Sequence, residues 1–170
     1  MNNEDRDLLV RWAAGFFDGE GSVFIRVERR RKPSWQPTTR LVVSVGNTDP
    51  RPVERFSALF GGVVRTCIHA SGGRRVLFVW SISGKTAYWM CKEVQPFVVN
   101  KAEQVACGIA FYEKPWRRNR RTGSEVASDL MLADEVKRLK NVTYETHPAA
   151  ARALIRRSVH GAYQSEKEAR

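Results

Sequence analysis

Apolar positions at the start of the chain follow the spacing of a helix. Over residues 5–19 the apolar side chains recur every three or four positions, and they are Leu8, Leu9, Trp12, Phe16 and Phe17. This spacing predicts an amphipathic helix. The residues able to cap its beginning are Asn2, Asn3 and Asp5.

After Gly21 the period changes to two, which predicts a β-strand. One side of this strand is apolar and carries Val23, Ile25 and Val27. The opposite side carries Phe24, Arg26, Glu28 and Arg30. A return strand repeats the alternation, with Leu41, Val43 and Val45 on one side and Arg40, Val42 and Ser44 on the other. The two strands predict a hairpin with one apolar face.

The other face of this hairpin is strongly basic. Its strands and their link contain a single acid, Glu28, and six cations, which are Arg26, Arg29, Arg30, Arg31, Lys32 and Arg40. An ordinary half-exposed sheet is one interpretation. A solvated face usually mixes both signs of charge, however, so this excess of cations favours contact with nucleic acid.

A second unit repeats the order of helix and hairpin. A helix is predicted over residues 51–60, strands over 63–70 and 75–83, and further helices over 85–94 and 101–113. The sequence therefore predicts an α+β fold, an αββαββα core over residues 1–113 with a four-stranded antiparallel sheet. Residues 114–170 are predicted to add a basic loop and peripheral C-terminal helices to the same domain.

Composition restricts the class of protein. The chain has 170 residues, a net charge of +11 and a hydrophobic fraction of 42%, which suit one basic globular domain. We expect no membrane span and no signal peptide, hence a cytoplasmic or organellar protein that is not secreted. The odd number of cysteines matches neither disulfides nor a zinc site and predicts small buried hydrophobes, Cys67, Cys91 and Cys107.

The end of the first helix combines small residues with acids. Gly15 and Gly19 lie four positions apart, with Ala14 beside them. A glycine inside a helix costs on the order of 1 kcal/mol relative to alanine, so these glycines require a reason. A stripe of small residues lets another backbone approach closely, either that of a second helix or this chain's own sheet.

Two acids, Asp18 and Glu20, follow at the same helix end. The helix dipole disfavours negative charge there. A bound divalent cation would offset this cost, because hard ions such as Mg²⁺ are held by one or two carboxylates together with phosphate oxygens and waters.

Residues 13–21 resemble the motif of the LAGLIDADG homing endonucleases. The alanine, first glycine, first aspartate, acid and last glycine of the motif fall on Ala14, Gly15, Asp18, Glu20 and Gly21. The chain departs from the motif at Ala13, where the name spells leucine, at Gly19, where it spells alanine, and at Glu20, where it spells aspartate. The resemblance extends over about residues 8–113, where the predicted elements follow the family's order.

The resemblance implies a site-specific endonuclease that acts on double-stranded DNA. Family members with a single motif are homodimers whose motif helices pack about a two-fold axis, which implies an interface at Ala14, Gly15 and Gly19 and a pseudo-palindromic target. It also implies that Glu20 from each chain binds Mg²⁺, or Mn²⁺ or Ca²⁺ at the same place. No organic cofactor is expected.

The resemblance further implies catalytic roles for Asn47, in ordering the hydrolytic water, and for Lys101, near the scissile phosphate. Arg51 is a weaker candidate for a cation near the scissile phosphate. Asp18 is interpreted as structural. DNA recognition is expected from the sheet face that carries Phe24, Arg26, Glu28, Arg30, Lys32, Arg40, Val42, Ser44, Arg65, Cys67, His69 and Arg75.

Three other functions compete with the endonuclease. An RNA-binding intron maturase of the same fold can retain the acid. A non-cutting DNA-binding regulator would typically have lost Glu20, Asn47 and Lys101 together, and all three are present. A basic ribosomal-type domain leaves Gly15, Gly19 and Glu20 unexplained.

Overall fold

The structure is a computed structural model that describes residues 2–28, 36–68, 76–114 and 122–140. Its elements follow in the order α1 (Asn3–Glu20), β1 (Gly21–Glu28), β2 (Thr38–Asn47), α2 (Pro50–Phe60), β3 (Val63–Ile68), β4 (Val76–Ser83), α3 (Lys85–Val94), α4 (Ala102–Glu113) and α5 (Gly123–Lys140). The predicted order of helices and strands is confirmed. Most of the predicted basic loop and any predicted C-terminal helix beyond residue 140 lie outside the described residues.

Four antiparallel strands form one sheet in the order β1-β2-β4-β3. The two hairpins thus lie side by side through β2 and β4, where Val45 pairs with Trp80. This confirms the α+β fold class with a four-stranded antiparallel sheet.

The core lies on one face of this sheet. The inward side chains of the strands are almost fully buried, and they are Val23, Ile25, Leu41, Val43, Val45, Trp80 and Ile82. Helix residues from all five helices join the same cluster, including Phe17, Phe56, Met90, Val105 and Val136. Among the described residues the helices cover one face of the sheet, and the opposite face carries no helix.

Helix α5 is packed more closely than the peripheral position expected of it. Val126 and Val136 are buried, and the buried Asp129 carboxylate accepts a hydrogen bond of 2.7 Å from the Thr39 hydroxyl on β2. Lys114 donates to Ser128 at 2.8 Å and to Asp129 at 3.3 Å. The helix is therefore anchored to the sheet by polar as well as apolar contacts.

The cysteine expectation holds in part. Cys91 is buried, and its burial raises the pKa of the thiol to about 12. Cys67 is exposed on β3, so the expectation of a buried hydrophobe is wrong there. None of the described helices has the length and apolar character needed to cross a membrane.

Candidate metal and nucleic-acid site

Glu20 is the last residue of α1, and β1 begins at the next residue. A Cβ at Gly21 would lie 2.1 Å from the Phe17 ring and 2.5 Å from the Phe17 carbonyl oxygen. Only glycine fits so close an approach, and it lets the chain turn directly from helix into strand. The Glu20 side chain is exposed, and no described residue hydrogen-bonds to its carboxylate. An acidic group is thus held at a defined corner of the fold and is open to a ligand.

Asp18 holds the beginning of α4. Its carboxylate accepts three backbone hydrogen bonds of 2.9 Å, from the N–H groups of Val99, Asn100 and Lys101. A carboxylate is favourable at a helix N-terminus because the N–H groups there lack helical partners and the dipole is positive. These bonds agree with the structural role expected of Asp18.

Lys101 precedes α4, and its side chain extends to the C-terminal end of α1. Its ammonium donates to the carbonyl oxygen of Asp18 and, at 3.4 Å, to that of Gly19. The last carbonyls of a helix carry partial negative charge, so a cation is stabilised there. The lysine therefore starts α4 but compensates the C-terminal end of α1. The ammonium thus bonds to the backbone carbonyls of the two residues that precede Glu20, so two of the three predicted catalytic residues lie at the same end of α1.

Asn47 ends β2 at the end of the sheet where α1 passes into β1. Gly21 pairs with Val45, two residues before Asn47, and two strand residues span about 7 Å. The Asn47 side-chain oxygen accepts from the Asp49 N–H at 2.8 Å, which turns the chain into α2. The amide oxygen is thus used structurally, and the amide nitrogen can still act as a donor.

Arg51 is paired within its own turn. Its guanidinium donates to the Asp49 carboxylate with distances of 2.5–3.0 Å, and these bonds hold the pKa of Asp49 below its ordinary value. The side chain is 85% exposed. In this arrangement Arg51 serves the α2 N-terminus, which leaves Lys101 as the cation at the Glu20 corner among the residues that the sequence singled out.

No described residue covers one face of α1. A Cβ placed on Gly15 or Gly19 meets no atom of the described residues within 4 Å, and Leu8, on the same face, is 66% exposed. The glycines therefore do not serve packing against this chain's own sheet. Ala14 differs, because it is fully buried in the core, and its expected place in an interface is wrong. We call the surface of Leu8, Gly15 and Gly19 the open α1 face.

The sheet face opposite the core carries the predicted basic residues. Arg26 lies directly across from Arg40 in the β1–β2 register, and both are exposed, as are Glu28, Arg65 and Cys67. Like charges directly opposite each other destabilise a sheet, so this pair favours an anionic partner. We call this surface the basic sheet face. Arg30, Lys32, His69 and Arg75 lie outside the described residues.

Two corrections apply to the basic sheet face. Val42 is only 4% exposed beside its register partner Phe24, so a direct base contact by Val42 is wrong. Residues of β4 were missed, and they are Leu77, Val79 and Ser81, which pair with β3 and β2 on this face. The alternation of these residues with the buried Trp80 and Ile82 was the signal that could have identified them.

Sequence comparisons give no relative: no protein-family model matches the chain, and a search of curated proteins gives no match. Solved structures do match its fold. The homing endonuclease I-CvuI, in complex with its target in the presence of 2 mM Ca, has a TM-score of 0.69 and 20% identity over 85% of this chain and 89% of that chain. The LAGLIDADG homing endonuclease I-GzeII, in complex with its DNA target, has a TM-score of 0.57 and 15% identity over 75% and 43%.

The chain has the LAGLIDADG homing endonuclease fold. A third match, the homing endonuclease I-TnaI, has a TM-score of 0.57 and 21% identity over 77% of this chain and 92% of that chain. The fold therefore occurs both in chains that this one covers almost fully and in a chain, I-GzeII, of which it covers under half.

In this LAGLIDADG fold Asp18 should stabilise the protein rather than take part in chemistry. We expect Asp18→Ala to lower the free energy of unfolding by about 1–3 kcal/mol, because three backbone N–H groups lose a charged acceptor. Urea unfolding followed by circular dichroism measures the effect. Asp18→Asn, which keeps one acceptor oxygen, should lose less. Equal stability of Asp18→Ala and wild type would contradict the capping role.

Proposed function

We propose that the chain is a site-specific homing endonuclease that acts as a homodimer and makes double-strand breaks in a long pseudo-palindromic DNA site by metal-dependent phosphodiester hydrolysis. The observation that carries the proposal is the exposed Glu20 carboxylate at the end of the open α1 face. A carboxylate fixed beside an uncovered helix face can meet its own copy across a two-fold axis.

The donor chemistry of this corner suits a hard divalent cation. Carboxylate oxygens are ligands that Mg²⁺ and Ca²⁺ prefer. Among the described residues of one chain, no group of three or more His, Cys, Asp or Glu could hold a metal alone. Pairing through Gly15 and Gly19 would add the second chain's Glu20, and DNA phosphates and waters would complete the ligands. The bound cation supplies Lewis-acid stabilisation of the negative charge that develops on the phosphate.

Two further residues support the reaction in this proposal. The Lys101 ammonium, held at the end of α1 by the Asp18 and Gly19 carbonyls, stabilises charge on the scissile phosphate. The Asn47 amide nitrogen donates a hydrogen bond to the attacking water and orients it. Lys101 is held by neutral backbone carbonyls, and Asn47 is held by a hydrogen bond from the nearby Asp49 N–H. Neither residue must therefore break an ion pair to reach DNA.

DNA recognition is assigned to the basic sheet face. A net charge of +11 attracts a polyanion, and arginine forks such as those of Arg26 and Arg40 suit guanine edges and phosphates. I-CvuI, which shares the fold, has been solved with DNA in the presence of Ca and of Mg. These features favour duplex DNA over the RNA of a maturase.

The proposal is tested by selecting cleaved sites from a random duplex DNA library with the wild-type protein and Mg²⁺. We expect a long, nearly two-fold symmetric sequence to be enriched among the cut products and no enrichment in EDTA. Enrichment by binding without any cutting would instead support a non-cutting DNA-binding regulator. Preference for structured RNA over DNA in a competition assay would support the maturase.

A further inference from the structure

Lys140, the last residue of α5, reaches the edge of the basic sheet face. Its ammonium lies 2.6 Å from the Ser22 hydroxyl oxygen and 5.0 Å from the centre of the Phe24 ring. Both residues belong to β1, one of the two edge strands of the described sheet, and Ser22 is two positions from Glu20. The last described residue thus lies near the junction of α1 and β1, where Glu20 is proposed to bind the metal.

The position of Lys140 is set by the packing of α5. Asp129 ties the helix to Thr39 on β2, Lys114 ties it to α4, and Val136 is buried in the core one turn before Lys140. The ammonium is therefore carried to Ser22 by an anchored helix, which limits the entropy lost when it binds a ligand.

The surroundings of Lys140 are unfavourable for an isolated cation. Partial burial lowers the pKa of Lys140, and the positive charge of Lys101 lowers it further. No described carboxylate pairs with Lys140. Arg138, in the same last turn, is instead paired with Glu135 at 2.6 Å. Lys140 thus has a hydroxyl and a ring as its described contacts, and an anionic ligand would balance its charge.

We propose that Lys140 binds a backbone phosphate of the DNA beside Glu20 and forms, with Lys101, a two-lysine cradle that positions the strand to be cut. The inference rests on the proposed DNA binding. A phosphate between two ammonium groups removes their mutual repulsion, and the Ser22 hydroxyl and the Phe24 ring aim the Lys140 side chain. The ligand is the phosphodiester itself, so the contact is independent of base sequence.

The test measures DNA affinity in EDTA, where metal-dependent cutting is absent, by fluorescence anisotropy over a series of salt concentrations. Each phosphate contact contributes about 0.9 to the slope of log affinity against log salt. We expect Lys140→Gln to reduce the slope by about 0.9 per chain and to weaken all DNA sequences equally. Lys140→Arg should restore the slope.

Lys92→Gln is the matched control, because it removes the same charge from α3, on the helix-covered side, where Lys92 lies 3.5 Å from Glu113. We expect its slope to equal that of wild type, and melting curves of both variants check that the fold is kept. A Lys140→Gln slope equal to that of Lys92→Gln, with DNA binding intact, overturns the cradle alone. Absence of DNA binding by wild type overturns the proposed function and the cradle together.

Discussion

Replacement of Glu20 by glutamine should abolish DNA cleavage and leave DNA binding in EDTA equal or slightly tighter. Glutamine keeps the size of the side chain but removes the charge that holds the divalent cation. Because Glu20 is exposed and no described residue bonds to its carboxylate, the substitution should not disturb the fold. Loss of the metal forfeits several kcal/mol of transition-state stabilisation, which corresponds to a cleavage rate at least about a thousandfold lower.

The matched control is Glu28→Gln, which makes the same change at the other end of β1. This variant should cut at the wild-type maximal rate, and only its affinity or sequence preference should change, since Glu28 lies on the basic sheet face. Cleavage is measured in single-turnover reactions with excess protein, so that binding and chemistry separate. Cutting by Glu20→Gln within tenfold of the wild-type rate would remove Glu20 from the metal site.

Replacement of Gly15 by leucine should separate the dimer into folded monomers without activity. A Cβ at Gly15 meets no atom of the described part of its own chain within 4 Å, and leucine favours helix over glycine by about 0.8 kcal/mol. The isolated chain should therefore be as stable as wild type or more so. Between two closely packed helices the added side chain has no room, and overpacking of about 1–3 kcal/mol raises the dimer dissociation constant by about 5- to 150-fold.

Sedimentation equilibrium at high salt measures the dissociation constant, and urea unfolding at low protein concentration measures the fold. Gly108→Ala is the contrasting variant: its Cβ would lie 3.1 Å from Leu41 and 3.2 Å from Val23 inside the core. It adds a methyl group inside the core rather than on the open α1 face and should leave the intrinsic tendency to dimerise unchanged. A fully active Gly15→Leu dimer would show that the open α1 face has another use.

The order of elements and the faces of the strands could be predicted from the sequence, because a period of two reports which side chains share a face. The apolar sides of β1 and β2 are buried as that alternation predicts. The position of Glu20 at the junction of α1 and β1 could also be predicted, since it depends on a local change of period at Gly21.

The same periodicity could not reveal what covers each face. Val42 shares a face with exposed arginines but is buried, and Ala14 lies beside two open glycines but belongs to the core. Both errors have the same origin: a pattern along one element carries no information about the elements that pack on it.

The Glu20 corner itself depends on contacts between distant parts of the chain. Asp18 caps a turn 81–83 residues away, and Lys140 meets Ser22 across 118 residues. By itself the sequence determined the elements, the two-sided sheet and the motif carboxylate. The tertiary structure alone decided which cations lie near that carboxylate and which face of α1 stays open. The reason is that the ends of different helices meet only when the five described helices pack on one sheet.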